Sequence, residues 1–471
     1  MTHLTLDDCY NCSMLPSLGK LPSLKVLLIS KLYRLKTIDE GFYKNEDCPS
    51  ATPFPSLESL SIYYMPCWEV WSSFHSEAFP VLKSLFIHDC PKLEGNLPNH
   101  LPALKTLEIT NCELLVSSLP TAPAIQSLEI RKSNKVALHV FPLSVEFITV
   151  EGSPMVESMI EAITNIQPTC LRSLTLRDCS SAISFPGGRL PDSLKTLHIW
   201  NLKKLEFPTQ HKHELLETLS IKRSCDSLTS FPLVTFPNLR DLNLQNCENM
   251  ESLLVSGAES FKNLCSLCIY ECPKFLSFWR EGLSAPNLIT FEVSGCDKFK
   301  SLPNQMSTLL PKLEYLVISN CPEIESFPEG GMPPYLRTVT IENCEKLISG
   351  LAWPSMDKLT HLSVWGPCDG MKSFPKEGLL PPSLTSLDLR NFSNLEMLDC
   401  TGLLHLTSLQ KLVMWGCPLL KNMVGESLPE SLIKLTIWSC PLLGKRCRMK
   451  HHQIWPKISH IPGIYVDDRW I

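Results

Sequence analysis

No apolar stretch in these 471 residues reaches the length that a helix needs to cross a bilayer. The amino terminus, Met1-Thr2-His3-Leu4-Thr5-Leu6-Asp7, lacks the basic, apolar and small-residue succession of a secretory signal. Neither sign of charge dominates: 43 basic residues stand against 48 acidic ones. There is thus no basic surplus to draw nucleic acid or an anionic membrane. Catalytic signatures are missing as well. Gly19-Lys20 and Gly444-Lys445 lack the upstream glycine and the following Ser or Thr of a phosphate loop. No G-x-S-x-G, H-E-x-x-H or kinase signature is present. The chain reads as a binding protein and not as an enzyme. Its length alone suggests two or three globular domains, but no linker, low-complexity tract or charge run divides it.

What fills the chain is one repeat, L-x-x-L-x-[LIV]-x-x-C-x-x-L, renewed about every 24 residues. Clear copies are Leu313-Leu316-Ile318-Cys321-Ile324 and Leu432-Leu435-Ile437-Cys440-Leu443. Its first position recurs nineteen times between Met1 and Leu432. Positions four and six are apolar and five and seven mostly polar, which is strand alternation. A strand this short buries its apolar face only by stacking on its neighbours. The expected fold is α/β: a leucine-rich-repeat solenoid, a right-handed curved horseshoe with a continuous parallel β-sheet on its concave face. The repeats are expected over residues 1–443 and a capping segment over 444–471. Proline-bearing returns such as Ser326-Phe327-Pro328 and Ser373-Phe374-Pro375 point to irregular or 3₁₀ convex segments. One return reads as helical, with Ser153-Pro154 starting it and Val156, Met159, Ile160 and Ile163 as its apolar stripe.

Cysteine is abundant, at 21 residues, yet its placement argues against disulfides and metal. Eleven cysteines take the ninth repeat position: Cys9, Cys90, Cys112, Cys179, Cys247, Cys272, Cys296, Cys321, Cys344, Cys417 and Cys440. A buried thiol there is a small filler and a weak donor to a nearby carbonyl. Ser133, Ser153 and Ser224 replace it elsewhere, which suits hydrogen bonding and not a disulfide. Cys9-Tyr10-Asn11-Cys12 and Cys265-Ser266-Leu267-Cys268 have zinc-like spacing, but neither has a partner pair to complete four ligands.

The strands' outward positions form a list of candidate contacts. Position seven carries Trp200, Tyr270 and then, in consecutive repeats, Trp365, Arg390, Trp415 and Trp438. Neighbouring strands bring such side chains about 5 Å apart, so they can stack, and arginine can lie over an indole. Exposed Trp and Arg are the types most enriched in interface hot spots. Packing against the C-terminal segment is the competing role. Glu108, Glu129 and Glu292 at position five read as a solvated, partner-facing patch and not as acid–base catalysts.

Several stretches go beyond a generic repeat. They include Leu18-Gly19-Lys20-Leu21-Pro22 with Glu40-Gly41-Phe42-Tyr43, Phe54-Pro55-Ser56-Leu57 with Trp68-Glu69-Val70-Trp71, and Cys90-Pro91-Lys92-Leu93-Glu94-Gly95. The most specific is the end of the chain, Cys440-Pro441-Leu442-Leu443, Arg446-Cys447 and Trp455-Pro456-Lys457-Ile458. Together they closely resemble the C-terminal leucine-rich-repeat region of plant disease-resistance proteins of the coiled-coil, nucleotide-binding class. The resemblance implies a cytoplasmic innate-immunity receptor whose repeats bind a pathogen effector or a guarded host protein. It also implies that they hold a nucleotide-binding domain in check. ADP and ATP would belong to that upstream domain, which this chain lacks, so only sensing and autoinhibition are expected here. The chain starts in strand register without a polar cap, and an upstream portion is therefore expected. The insertion Asp39–Pro53, with Asp39, Glu40, Glu46 and Asp47, reads as a solvated loop or a dock for that domain. The alternatives are an extracellular repeat receptor, for which Asn11-Cys12-Ser13 and Asn391-Phe392-Ser393 offer glycosylation sites, and a ubiquitin-ligation adaptor, which would need an F-box helix.

Overall fold

The structure is a computed structural model, and it describes all residues except 44–51, 73–77, 95–96, 137–140, 167–169, 256–259, 279–281, 329, 350–355 and 369. The chain divides into two compact units, Met1–Ser227 and Leu228–Ile471.

Each unit is a leucine-rich-repeat β-solenoid. The first carries ten five-residue strands, from His3–Asp7 to Thr218–Lys222. They pair in parallel with the repeat leucines level, as in Leu85 opposite Leu107 and Leu107 opposite Leu128. The second runs from Asp241–Gln245 to Lys434–Trp438 in the same register, with Ile318 opposite Ile341 and Leu389 opposite Met414. Positions four and six point into the core: Leu85, Ile87, Leu316, Ile318, Leu435 and Ile437 are fully buried. Burying each such side chain is worth about 1.5–3 kcal/mol, and only the adjacent repeats provide the apolar walls.

Every repeat leaves its strand through the same turn. Position eight has positive φ in all nineteen repeats, for example Asp89 at 54°, Asn111 at 54°, Asn343 at 49° and Gly366 at 126°. Asn, Asp and Gly tolerate that conformation best and fill most of these positions. The position-eight N–H prolongs the ladder by donating to the next strand's seventh carbonyl, as Asn343 does to Trp365 at 2.7 Å. Position-eight side chains also bond to each other: Asn111 Nδ2 donates to Asp89 Oδ1 at 2.6 Å, and Asn343 Nδ2 to Asn320 Oδ1 at 2.7 Å. Gly366 is needed where it stands, because a Cβ there would lie 2.4 Å from Asn343 Oδ1.

The returns hold more structure than their prolines suggest. Short parallel strands pair between successive returns, as in Ser230–Pro232, Ser252–Leu254 and Ser277–Phe278, and again from Ser373–Phe374 to Asn422–Val424. Phe374 and Phe231 are buried there, and the prolines sit at the strand ends, where a missing N–H costs little. The helical return is present as Ser153–Ile166, with Val156, Met159, Ile160 and Ile163 buried. Asp39 caps a 3₁₀ turn at Glu40–Phe42, its carboxylate accepting from Gly41 N–H at 2.9 Å. The rest of the insertion that includes Glu46 and Asp47 lies outside the described residues.

The segment 444–471 follows the last repeat through the helix Pro441–Arg448. It then adds a further ladder strand, Gly463–Val466, parallel to Lys434–Trp438, and Arg469–Trp470 folds back antiparallel on it. Arg448 ties the helix to this end through Asp467 at 2.6 Å. Among the described residues no helix is long and apolar enough to cross a membrane.

Candidate binding faces and the cysteine ladder

Strand alternation sends positions three, five and seven to the open face of each sheet. In the second unit this brings four of the expected contact residues together. The Arg390 guanidinium lies 4.5 Å from the Trp365 ring centroid and 5.7 Å from that of Trp415. Trp415 stacks on Trp438 at 5.3 Å with 16° between planes. Two residues that the sequence reading passed over continue the column. Tyr465 stacks on Trp438 at 6.1 Å, and Trp470 meets Tyr465 edge-on at 5.4 Å. The signal for Tyr465 was its Ile464-Tyr465-Val466 alternation, one more repeat-like strand. Asp388, also passed over, fixes the arginine: Nε donates to its Oδ1 at 2.9 Å and Nη2 to its Oδ2 at 2.6 Å. This forked bond raises the Arg390 pKa above its already high value. Trp415 stays 40% exposed and Trp470 65%, so the column is not sealed beneath the C-terminal segment.

Tyr270 and Trp200 stand apart from this group. Tyr270 occupies the same ladder position but lies four strands before Trp365, half-buried, with its hydroxyl donating to Glu292 Oε2 at 2.6 Å. Trp200 belongs to the first unit, 43% exposed, with Arg177 4.8 Å from its ring centroid.

The first unit's open face carries a titratable cluster. Glu108 pairs in register with Glu129, His88 Nε2 lies 3.5 Å from Glu108, and Arg131 lies 2.9 Å from Glu129. Burial, and then repulsion from Glu129, raise the Glu108 pKa. The two carboxylates are therefore neighbours, as expected.

The ninth-position cysteines form ladders. Cys344 Sγ donates to Glu342 O at 3.2 Å and approaches Ile318 O of the preceding strand at 3.7 Å. Cys321 does the same with Ser319 O at 3.2 Å and Val293 O at 3.9 Å. The sulfur also accepts from the position-nine N–H of the preceding repeat, Cys321 for Cys344 and Cys296 for Cys321. Ser133 and Ser224 bridge in the same way. Ser133 donates to Arg131 O and accepts from Cys112 N–H at 3.1 Å; Ser224 donates to Lys222 O and accepts from Leu202 N–H at 2.9 Å. Thiol–thiol hydrogen bonding, with burial, drives the Cys90 and Cys272 pKa values up. Burial pushes Cys447 up to about 12.

Two members depart from the expected pattern. Cys9 is exposed, because the chain holds no preceding repeat to cover it; it keeps only its bond to Asp7 O at 3.5 Å. Ser153 does not join the ladder, because it opens the helical return, and its hydroxyl instead accepts from Ser180 N–H at 3.0 Å. The described cysteines are free thiols; Cys48 lies outside the described residues.

Strands in leucine register, a left-handed exit at every repeat and a ninth-position ladder define a leucine-rich-repeat protein. Over most of the chain its homologues are plant disease-resistance proteins of the nucleotide-binding leucine-rich-repeat type. A putative disease resistance protein of Arabidopsis thaliana, At3g14460, is 26% identical, covering 91% of this chain and 42% of its own length. The putative disease resistance RPP13-like protein 1 of the same plant is 33% identical over 44% of this chain and 21% of its own length. The chain thus spans less than half the length of these curated relatives. No family model matches. Among solved structures, YopM from Yersinia enterocolitica aligns with a TM-score of 0.50 at 19% identity, covering 93% of this chain and 79% of that one. That likeness concerns the fold alone. Fold and homologues together make the chain a leucine-rich-repeat region of plant defence.

Proposed function

We propose that this chain is the sensing and autoinhibitory repeat region of a cytoplasmic plant immune receptor. Its open sheet faces bind a pathogen effector or a guarded host protein. That binding regulates an ADP/ATP-dependent switch lying outside the chain, against which the same repeats rest in the inactive state. The observation that carries the partner-binding part is the column Trp365–Arg390–Trp415–Trp438, ordered by stacking and still open to solvent. Such pre-ordered aromatic and arginine side chains lose little entropy on binding and anchor interfaces. The free thiols of the ladders support a reducing compartment.

The test is a triple variant, Trp365→Ala, Trp415→Ala and Trp438→Ala, in the receptor that contains this region. Partner capture and cell-death output are the readouts, with circular dichroism to confirm the fold. Loss of one anchor costs about 2 kcal/mol, close to thirtyfold in affinity, so capture should vanish. Unchanged capture and output would remove this face from the partner site.

A further inference from the structure

We infer that the last strands of the second unit's open face dock an acidic protein segment; this rests on the reading of that face as a partner site and adds the partner's chemistry. Charge along the face is segregated. The earlier strands carry Asp241, Glu292 and Glu342, and the later ones Arg390, Lys411 and Lys434. Among the described residues neither lysine has a carboxylate partner within salt-bridge distance, whereas Lys421 and Lys195 do. Lys411 and Lys434 also face each other in register on adjacent strands, both exposed. Two like charges so placed repel each other and weaken a sheet. An incoming carboxylate relieves that repulsion.

The column beside them adds to the same preference. Trp415, Trp438 and Tyr465 cover one another's faces, at 16° and 22° between planes, and Arg390 covers the remaining faces of Trp365 and Trp415. What solvent meets is therefore ring edges, the positive side of the aromatic quadrupole. Ring edges and ammonium groups both attract carboxylates and the negative faces of a partner's aromatic rings. A basic segment meets repulsion from both.

The experiment uses the whole chain and, as probe, a short fluorescein-labelled peptide of alternating Glu and Tyr, with a Lys–Tyr peptide as its counterpart. The Glu–Tyr peptide is expected to bind at least about tenfold more tightly. Its affinity is expected to fall several-fold as salt rises from about 0.05 to about 0.3 M, because exposed charges are screened. Lys411→Glu with Lys434→Glu should abolish that preference without moving the melting temperature, since both side chains are exposed. Equal binding of the two peptides, or an unchanged preference in the double charge variant, overturns the inference. Failure here leaves the partner site itself intact if the triple tryptophan variant still loses partner capture; if it does not, both readings fall.

Discussion

Arg390 lies flat over Trp365, 4.5 Å from the ring centroid, while Asp388 grips the same guanidinium from its own strand. Arginine is fixed here by two different properties, its planar face and its fork of donors. Lysine has neither. Arg390→Lys should therefore behave as a disruptive change despite keeping the charge. Stacking of this kind is worth about 0.5–1.5 kcal/mol. We expect a loss of that size in denaturant melts, with a shift in tryptophan emission as the Trp365 and Trp415 faces open. An unmoved midpoint and spectrum would show that the column stands without its arginine.

The cysteine ladder makes a sharper forecast about side-chain chemistry. Cys321 Sγ donates to Ser319 O and accepts the Cys296 N–H, the two bonds that Ser133 makes at its own repeat. Cys321→Ser keeps both, whereas Cys321→Val fills similar space and leaves the Cys296 N–H buried without an acceptor. An orphaned donor costs about 1–3 kcal/mol. Thermal melts should rank the valine variant below the serine variant by that order. The reverse ranking would make the position one of apolar filling alone.

Glu108 allows a test of sign. Its folded pKa is raised, by burial first and by Glu129 second, above the ordinary 4.5. The folded state therefore holds the proton more tightly than the unfolded chain, and stability is lost as pH rises from that ordinary value through the folded pKa. Glu108→Gln removes the charge that causes the loss. The variant should melt above the parent chain at pH 7, and the gain should fade below about pH 4, where both forms are neutral. A gain that grows on acidification would reverse the assignment and make the bond with His88 dominant.

Much of this architecture was legible because the repeat obliges the same residue types to recur. Leu85, Leu316 and Leu435 announce the strands by spacing alone, and Val156, Met159, Ile160 and Ile163 announce the one long helical return. The short return strands were hidden, because a two-residue strand such as Ser373–Phe374 has no periodicity to read. The left-handed exit had a signal in the Asn, Asp and Gly residues at position eight, but Lys31, Tyr64 and Arg223 blur it, and only the backbone angles make it uniform. The site was half visible. Alternation placed Trp365, Arg390, Trp415 and Trp438 in one row, whereas Tyr465 and Trp470 come from a segment outside the nineteen repeats. Trp200 and Tyr270 shared a repeat position with that row but not its surroundings.

The left-handed exit leaves each strand's odd positions free of any duty in holding the chain together. Backbone amides carry the rungs, and leucines and ladder thiols carry the interior. Residues such as Trp415 or Lys434 can therefore be exchanged one at a time without refolding their neighbours. A lineage under pressure from changing adversaries can rewrite what such a surface recognises while inheriting its framework unaltered.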